Sequence, residues 1–348
     1  MKLAVPGKVF LAGEYAVLER EPALVVGIDR ALSGEFRPLL RGELELRHAP
    51  SNASLSGVIR DGAAQWQGGV PGELRFAARA AQVAVEFCAG KGLPPSGLAL
   101  TFLDDFAHQG RKLGLGGSAA ASVLAVHAVC AAHGSPVTAR EALALALAAH
   151  RAEQGGAGSG ADVAACALGG LVEVRVRPPA ASLAAPSTAP VDPDPLEVRR
   201  VAAPPDLRLL LAFAGSSADT RKLVAEVRSF AAAAPTRFRS HVAALAKSSA
   251  SLRDALEGSL REAALDAVRS AAAAMAALGA EAGVAIVTPA LARACALASS
   301  AGAAAKPSGA GGGDCAVVLA FGDEARDQAE RALAPEFFTL RIAPSEPS

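Results

Sequence analysis

Mixed helix and sheet, in two domains or one large α/β unit and with an α+β second half, is what this sequence predicts, and three observations predict it. Short apolar or alternating runs of strand length crowd the residues up to Phe102, alanine-rich segments with helical period dominate the middle, and a proline-rich stretch at 178–196 interrupts the chain near its centre. At 348 residues the chain exceeds one ordinary core. Hydrophobic residues make up 51% and aromatics only 4%, so Ala, Val and Leu must fill the interior, which suits closely packed helices on sheets.

Taken in order, the first segment reads as a strand from Lys2, a tight turn at Pro6-Gly7-Lys8, a second apolar run from Val9 to Leu18 and a further strand from Pro22 to Ile28. Leu44 to His48 and Leu98 to Phe102 alternate as strands do, and Glu73 to Cys88 has helical period. Ala119 to His133 and Thr138 to Glu153 read as helices, the second opened by Thr138 as N-cap with Glu141 three residues on. Proline removes amide donors and fixes φ, so 181–196 is read as a linker or surface excursion between a first domain, 1–180, and a second, 197–348. Beyond it come a strand at Leu207 to Ala214, helices at about Thr220 to Ala234, Thr236 to Glu257 and Leu260 to Ala280, and a final strand at Cys315 to Phe321.

Lys plus Arg equals Asp plus Glu, 34 of each, which removes the broad field that nucleic acid or an anionic membrane surface needs. Any anion is then bound by local groups. Five widely spaced cysteines with no C-x-x-C pair read as reduced core residues. Lys8 and Glu14 interrupt the apolar N-terminal stretch, and no run of 18 apolar residues occurs, so the expected compartment is the cytoplasm.

The chemistry lies in three glycine-rich segments. Gly114-Leu115-Gly116-Gly117-Ser118-Ala119 turns directly into a helix, where successive amides and the positive helix end can hold a phosphate. It fits G-x-G-x-x-A, yet the preceding strand ends near Phe102 and no Asp lies between 131 and 141, which argues against a dinucleotide fingerprint; no Gly-Lys-Ser or Gly-Lys-Thr follows, which excludes a P-loop. A tight turn built for packing is the plain alternative. Gly155 to Gly160 ends in Ala161-Asp162, where the acid could simply cap a helix; Lys306 to Cys315 could be a flexible loop; Lys8 could be a surface lysine, although apolar residues flank it on both sides. Three such loops, each beside a charged residue, point instead to convergence on one ligand.

In this order the segments resemble the signature motifs of the GHMP kinases, a superfamily of small-molecule kinases. The first is Pro6-Gly7-Lys8 through Glu14-Tyr15-Ala16-Val17-Leu18-Glu19, the second Gly114 through Ala120, the third Lys306 through Cys315. Gly158-Ser159-Gly160-Ala161-Asp162-Val163 is similar to the central acidic motif. Mevalonate kinases usually read Gly-Glu-His in the first motif and end the third in Gly-Gly-Cys, whereas this chain has Gly13-Glu14-Tyr15 and Gly313-Asp314-Cys315, so the resemblance is greatest to the phosphomevalonate kinase branch. One departure is Gly117, which replaces the first of two serines common in the second motif.

The resemblance implies a ribosomal protein S5 domain 2-like N-terminal domain, with a left-handed crossover, and a ferredoxin-like C-terminal domain. It implies ATP-dependent phosphorylation of (R)-5-phosphomevalonate, with ATP and Mg²⁺ as cofactors, no nucleic-acid or membrane partner, and a monomer or homodimer. Gly114, Leu115, Gly116, Gly117, Ser118 and Ala119 would bind the nucleotide, Ser118 would also bind the metal, and Lys8 and Asp162 would be catalytic. Tyr15, Lys112, Ser159, Thr220, Ser308, Gly309 and Ala310 would meet the acceptor, with Arg111, Arg221 and Lys222 as further cations and Glu153 as a second acid for the metal. Mevalonate kinase, diphosphomevalonate decarboxylase and a non-catalytic ligand sensor on the same scaffold are the alternatives. A sensor would be expected to lack Lys8 or Asp162.

Overall fold

The computed structural model describes residues 1–104, 106–156, 158–177, 196–215 and 219–347. All of the expected proline-rich linker except Leu196, and the positions of Ser217 and Ala218, lie outside the described residues.

The first unit comprises β1 (Lys2–Ala12), a short 3-10 turn (Ala16–Glu19), β2 (Ala23–Leu39), β3 (Glu43–His48), β4 (Ala53–Arg60), β5 (Ala63–Trp66), α1 (Arg75–Gly90) and β6 (Gly97–Phe102). A small hairpin, β7 (Ala107–His108) and β8 (Arg111–Lys112), precedes α2 (Gly117–Ala132), α3 (Ala139–Glu153), α4 (Ala161–Leu168), β9 (Leu171–Val176) and β10 (Leu196–Arg200). The strands form one sheet in the order β10-β9-β2-β6-β3-β4-β5, with β1 antiparallel along β2. Alanines of α1 to α4 pack with Val5, Val25, Phe36, Leu98 and Leu100 in one core, as the alanine-rich composition requires. The capping box at Thr138 is present: the hydroxyl accepts from Glu141 N at 3.3 Å and Glu141 Oε2 accepts from Thr138 N at 2.9 Å.

Pro6-Gly7-Lys8 is not a turn. β1 runs straight through it, with a shift of register between Pro6 and Gly7. Among the described residues β1 pairs with β2 alone, so an edge strand absorbs the missing proline N–H as a bulge. The expected strand at Pro22 to Ile28 is likewise the start of a longer one, β2.

The second unit comprises β11 (Leu207–Phe213), α5 (Thr220–Ala233), α6 (Pro235–Glu257), α7 (Arg261–Ala282), α8 (Pro289–Ser300), β12 (Ala304–Pro307), β13 (Cys315–Phe321), α9 (Asp323–Leu333) and β14 (Phe338–Ile342). Its antiparallel sheet has the order β12-β13-β11-β14, the β-α-β-β-α-β arrangement of a ferredoxin-like domain, with α5 to α8 filling the first crossover. β10 pairs with β9, so the expected start of the second domain at residue 197 falls inside a strand of the first sheet. α7 is apolar and long enough to cross a membrane, but it packs on α6 and β12 as a core helix does.

One core joins the two units. Val9, Leu11, Val26 and Ile28 of the first sheet meet Leu209, Leu211, Val317 and Leu319 of the second, together with Leu252 of α6 and Val268 of α7. Burial of such side chains contributes about 1.5–3 kcal/mol each, which holds the two units in one arrangement. The chain after β14 also returns to β2, where Ser345 N donates to Gly27 O at 2.8 Å. The glycine-rich segments at 114–119 and 306–315 are thereby brought together, a Cβ on Gly114 standing 3.1 Å from Asp314 Oδ2.

Candidate active site

The phosphate loop is seated on β1. Lys8 N donates to Leu115 O at 2.8 Å, and Lys8 Nζ donates to Gly114 O at 3.2 Å. Gly114 and Gly116 have φ of 71° and 86°, where glycine alone is unstrained. A Cβ on Gly116 would stand 2.8 Å from Lys8 Cγ, so the loop lies directly against the lysine stem. α2 then starts with no side-chain cap and no acid in its first turn. Its first-turn amides and positive end are left for an anion. Gly114 to Ala119 and Lys8, expected to act together, are together.

Ser118 sits in that first turn, and its hydroxyl lies 3.2 Å from His150 Nε2. The same nitrogen is 4.0 Å from Asp162 Oδ2. His150, in the last turn of α3, therefore stands between the expected metal residue and the expected catalytic acid. The sequence reading passed over it. The available signal was a His-Arg pair ending an otherwise apolar helix face immediately before a glycine-rich loop. Burial depresses the imidazole pKa, opposed by Asp162 and reinforced by the nearby Lys8 and Arg75 charges.

Asp162 opens α4 after Gly160 at φ 80°, with Oδ1 accepting from Val163 N at 2.9 Å. The helix end favours its negative charge. Lys8 and Asp162 form no ion pair; the lysine is given to the phosphate loop instead. Ser159 Oγ accepts from Ala161 N at 3.3 Å, and Arg151 donates to Ser159 O at 3.2 Å. Ser159 thus supports the turn into α4. Glu153, the second acid considered for the metal, is paired with Arg75 at 3.8 Å.

The third segment is tied to the end of β1 by side chains. Lys306 is fully buried and donates to Glu14, itself closed to solvent, and to Pro307 O. Ser308 Oγ accepts from Phe10 N at 3.1 Å and donates to Phe10 O at 3.3 Å. Tyr15 is buried, with φ 61°, an uncommon backbone for a bulky residue, and its hydroxyl donates to Ala310 O at 2.7 Å. Both hydroxyls hold the loop at 308–310 through backbone atoms. Gly309 and Ala310 are half-buried in that loop. Thr220 is exposed at the first residue of α5, whose Leu223 packs on Gly312. Lys112 is exposed on the hairpin before the phosphate loop, and Lys222 faces Glu226 at 4.0 Å.

A hydroxyl and a carboxylate, Ser118 Oγ and Asp162 Oδ2, flank one histidine nitrogen at 3.2 and 4.0 Å. Hard oxygen donors few in number, beside a phosphate site, fit Mg²⁺, which keeps most of its waters and takes phosphate oxygens. Among the described residues no cluster of three or more His, Cys, Asp or Glu side chains is present. A dedicated all-protein metal cage is not what these residues build.

The class that comparison with known proteins shows is that of the small-molecule kinases. The chain belongs to the GHMP kinases: the family's N-terminal domain model matches residues 77–170 and its C-terminal domain model residues 241–340. It is 32% identical over 343 residues to a phosphomevalonate kinase of Streptomyces sp. strain CL190, covering 92% of this chain and 90% of that protein. A phosphomevalonate kinase of Streptococcus pneumoniae, solved in complex with phosphomevalonate and AMPPNP, superposes with a TM-score of 0.79 at 21% identity, covering 98% of this chain and 100% of that one. Mevalonate kinase of L. major in complex with R-mevalonate gives 0.69 at 22% identity, with 100% and 96% covered. At such identities these two solved structures show the shared fold.

Proposed function

We propose that this chain transfers the terminal phosphoryl group of ATP to (R)-5-phosphomevalonate, giving ADP and (R)-5-diphosphomevalonate. The observation that carries the reading is the uncapped N-terminus of α2 beside the Lys8 ammonium, with Ser118 and Asp162 on its flank. The one-third identity with the Streptomyces enzyme supports the acceptor assignment.

In the reaction the γ-phosphorus bond to the β,γ-bridging oxygen breaks and a new bond forms to an oxygen of the acceptor's 5-phosphate. Phosphoryl transfer is catalysed by positioning and charge neutralisation. Amides of Gly114 to Ala119 receive the nucleotide phosphates, and Lys8 neutralises charge shared between donor and acceptor. Ser118 and Asp162 would hold Mg²⁺, which supplies neutralisation of the phosphate oxygens when bound. A phosphate monoester has its second pKa near about 6 and carries little proton at neutral pH, so Asp162 serves position and charge rather than proton abstraction. Gly309, Ala310 and Thr220, with Lys112 entering from its exposed hairpin, are the groups we assign to the acceptor. Four of the five cysteines are buried and all are free thiols, which agrees with a reducing cytoplasm.

The test is ADP release with mevalonate, phosphomevalonate and diphosphomevalonate in parallel. Turnover of phosphomevalonate alone is expected. Preference for mevalonate, or carbon dioxide release from diphosphomevalonate, would replace this reading with the mevalonate kinase or decarboxylase one.

A further inference from the structure

We propose that His150 is a positioning residue for the metal-binding hydroxyl of Ser118. The inference rests on the proposed assignment of Ser118 to the cation.

Four other helical serines of this protein turn their hydroxyls back onto their own helix. Ser122, Ser229, Ser240 and Ser248 each donate to the carbonyl four residues earlier, at 3.0, 3.1, 3.2 and 2.9 Å. Ser118 lies in the first turn of α2, where no earlier helical carbonyl exists, and its partner is His150 Nε2 at 3.2 Å. An oxygen that lends a lone pair to a cation must direct its proton away from it. In the tautomer that carries its hydrogen on Nδ1, His150 Nε2 is in place to accept that proton.

The imidazole is held as such a role demands. It is 1% exposed and stacks on Phe76 of α1, with ring centroids 4.7 Å apart and planes inclined by 30°. Packing of this kind locks the ring orientation, and the Ser118 rotamer with it. Its distance of 4.0 Å to Asp162 Oδ2 also makes His150 the spacer between the two oxygen donors. A carboxylate at that place would add negative charge beside Asp162 and compete for the cation. An imidazole orients the hydroxyl without doing either.

The experiment compares binding of a non-hydrolysable ATP analogue by calorimetry, with Mg²⁺ and with EDTA, to the full chain and its variants. His150→Leu is expected to weaken the Mg²⁺-nucleotide complex by about tenfold or more, in the range for residues that orient a metal ligand, and to leave the metal-free nucleotide unaffected. His150→Gln retains an acceptor and should recover most of the loss. On a Ser118→Ala background, His150→Leu should add nothing. Equal weakening of both nucleotide forms, or losses that multiply in the double variant, would make His150 a packing residue and overturn the proposal. Should the Leu variant fail to fold, imidazole nitrogen NMR of the wild type decides: Nε2 of His150 must shift when Mg²⁺ joins the bound nucleotide, and an unmoved resonance sinks the idea. A wild type that binds Mg²⁺-nucleotide yet leaves phosphomevalonate unphosphorylated would refute the acceptor assignment while leaving the His150 comparison intact.

Discussion

Lys306 donates to Glu14 inside the molecule, where β12 meets the end of β1, across 292 residues of sequence. Their side chains are 0% and 3% exposed, and Glu14 Oε2 has no partner among the described residues. The pair, with Tyr15 on Ala310 and Ser308 on Phe10, makes the loop at 308–310 an extension of the strand that carries Lys8.

Removing either member leaves an uncompensated buried charge. Glu14→Ala and Lys306→Ala are each expected to destabilise by about 3–5 kcal/mol. The double variant Glu14→Gln with Lys306→Met should lose less than Lys306→Met alone, since no charge is stranded. Urea unfolding midpoints check both statements, and a double variant worse than either single one would contradict the account.

Gly116 controls the lysine. Gly116→Ala places a methyl at the Lys8 stem and a side chain at φ 86°, so kcat should fall by about 10²-fold through misplacement, with a stability loss of about 1 kcal/mol or more. Lys8→Met should lower kcat by about 10²–10³-fold and leave the Tm unchanged. ADP release and thermal melts separate the two. Unaltered turnover in Gly116→Ala would show that the loop tolerates displacement.

Tyr15 is the only tyrosine in the chain, so phenolate absorbance near 295 nm reports it alone. Burial, followed by the charges of Glu14 and Glu226, pushes its pKa well above the usual tyrosine value. With the folded pKa raised, its contribution to stability is complete below the unfolded pKa of about 10 and is lost as pH rises above it. Phenolate should therefore appear only together with unfolding. Ionisation near the ordinary value in a folded chain would be the contrary result.

Asp162→Asn should lower kcat while preserving the shape of the pH–rate profile, because the acceptor phosphate is already a dianion at neutral pH. Disappearance of one titrating limb in that variant would restore the acid to a proton-abstracting role.

Much of this was legible in one dimension. The capping box at Thr138, the α2 start, two residues before the expected Ala119, and strand Cys315 to Phe321 are local patterns with local causes. The turn expected at Pro6-Gly7-Lys8 was misjudged because the sequence does not show that β1 is an edge strand, where proline costs no ladder bond. His150 was missed because a histidine on an apolar helix looks like core until Ser118, 32 positions earlier, arrives beside it.

Local patterns were enough for the family, the mixture of helix and sheet, and the glycine-rich segments expected to carry phosphate chemistry, since glycine turns, caps and periodicity act between near neighbours. Which polar groups are already engaged emerges only once the chain is folded. Tyr15 and Ser308 are engaged by backbone, Glu153 by Arg75, and Ser118 by His150. Those commitments depend on burial and on contacts between distant segments, which no local pattern encodes.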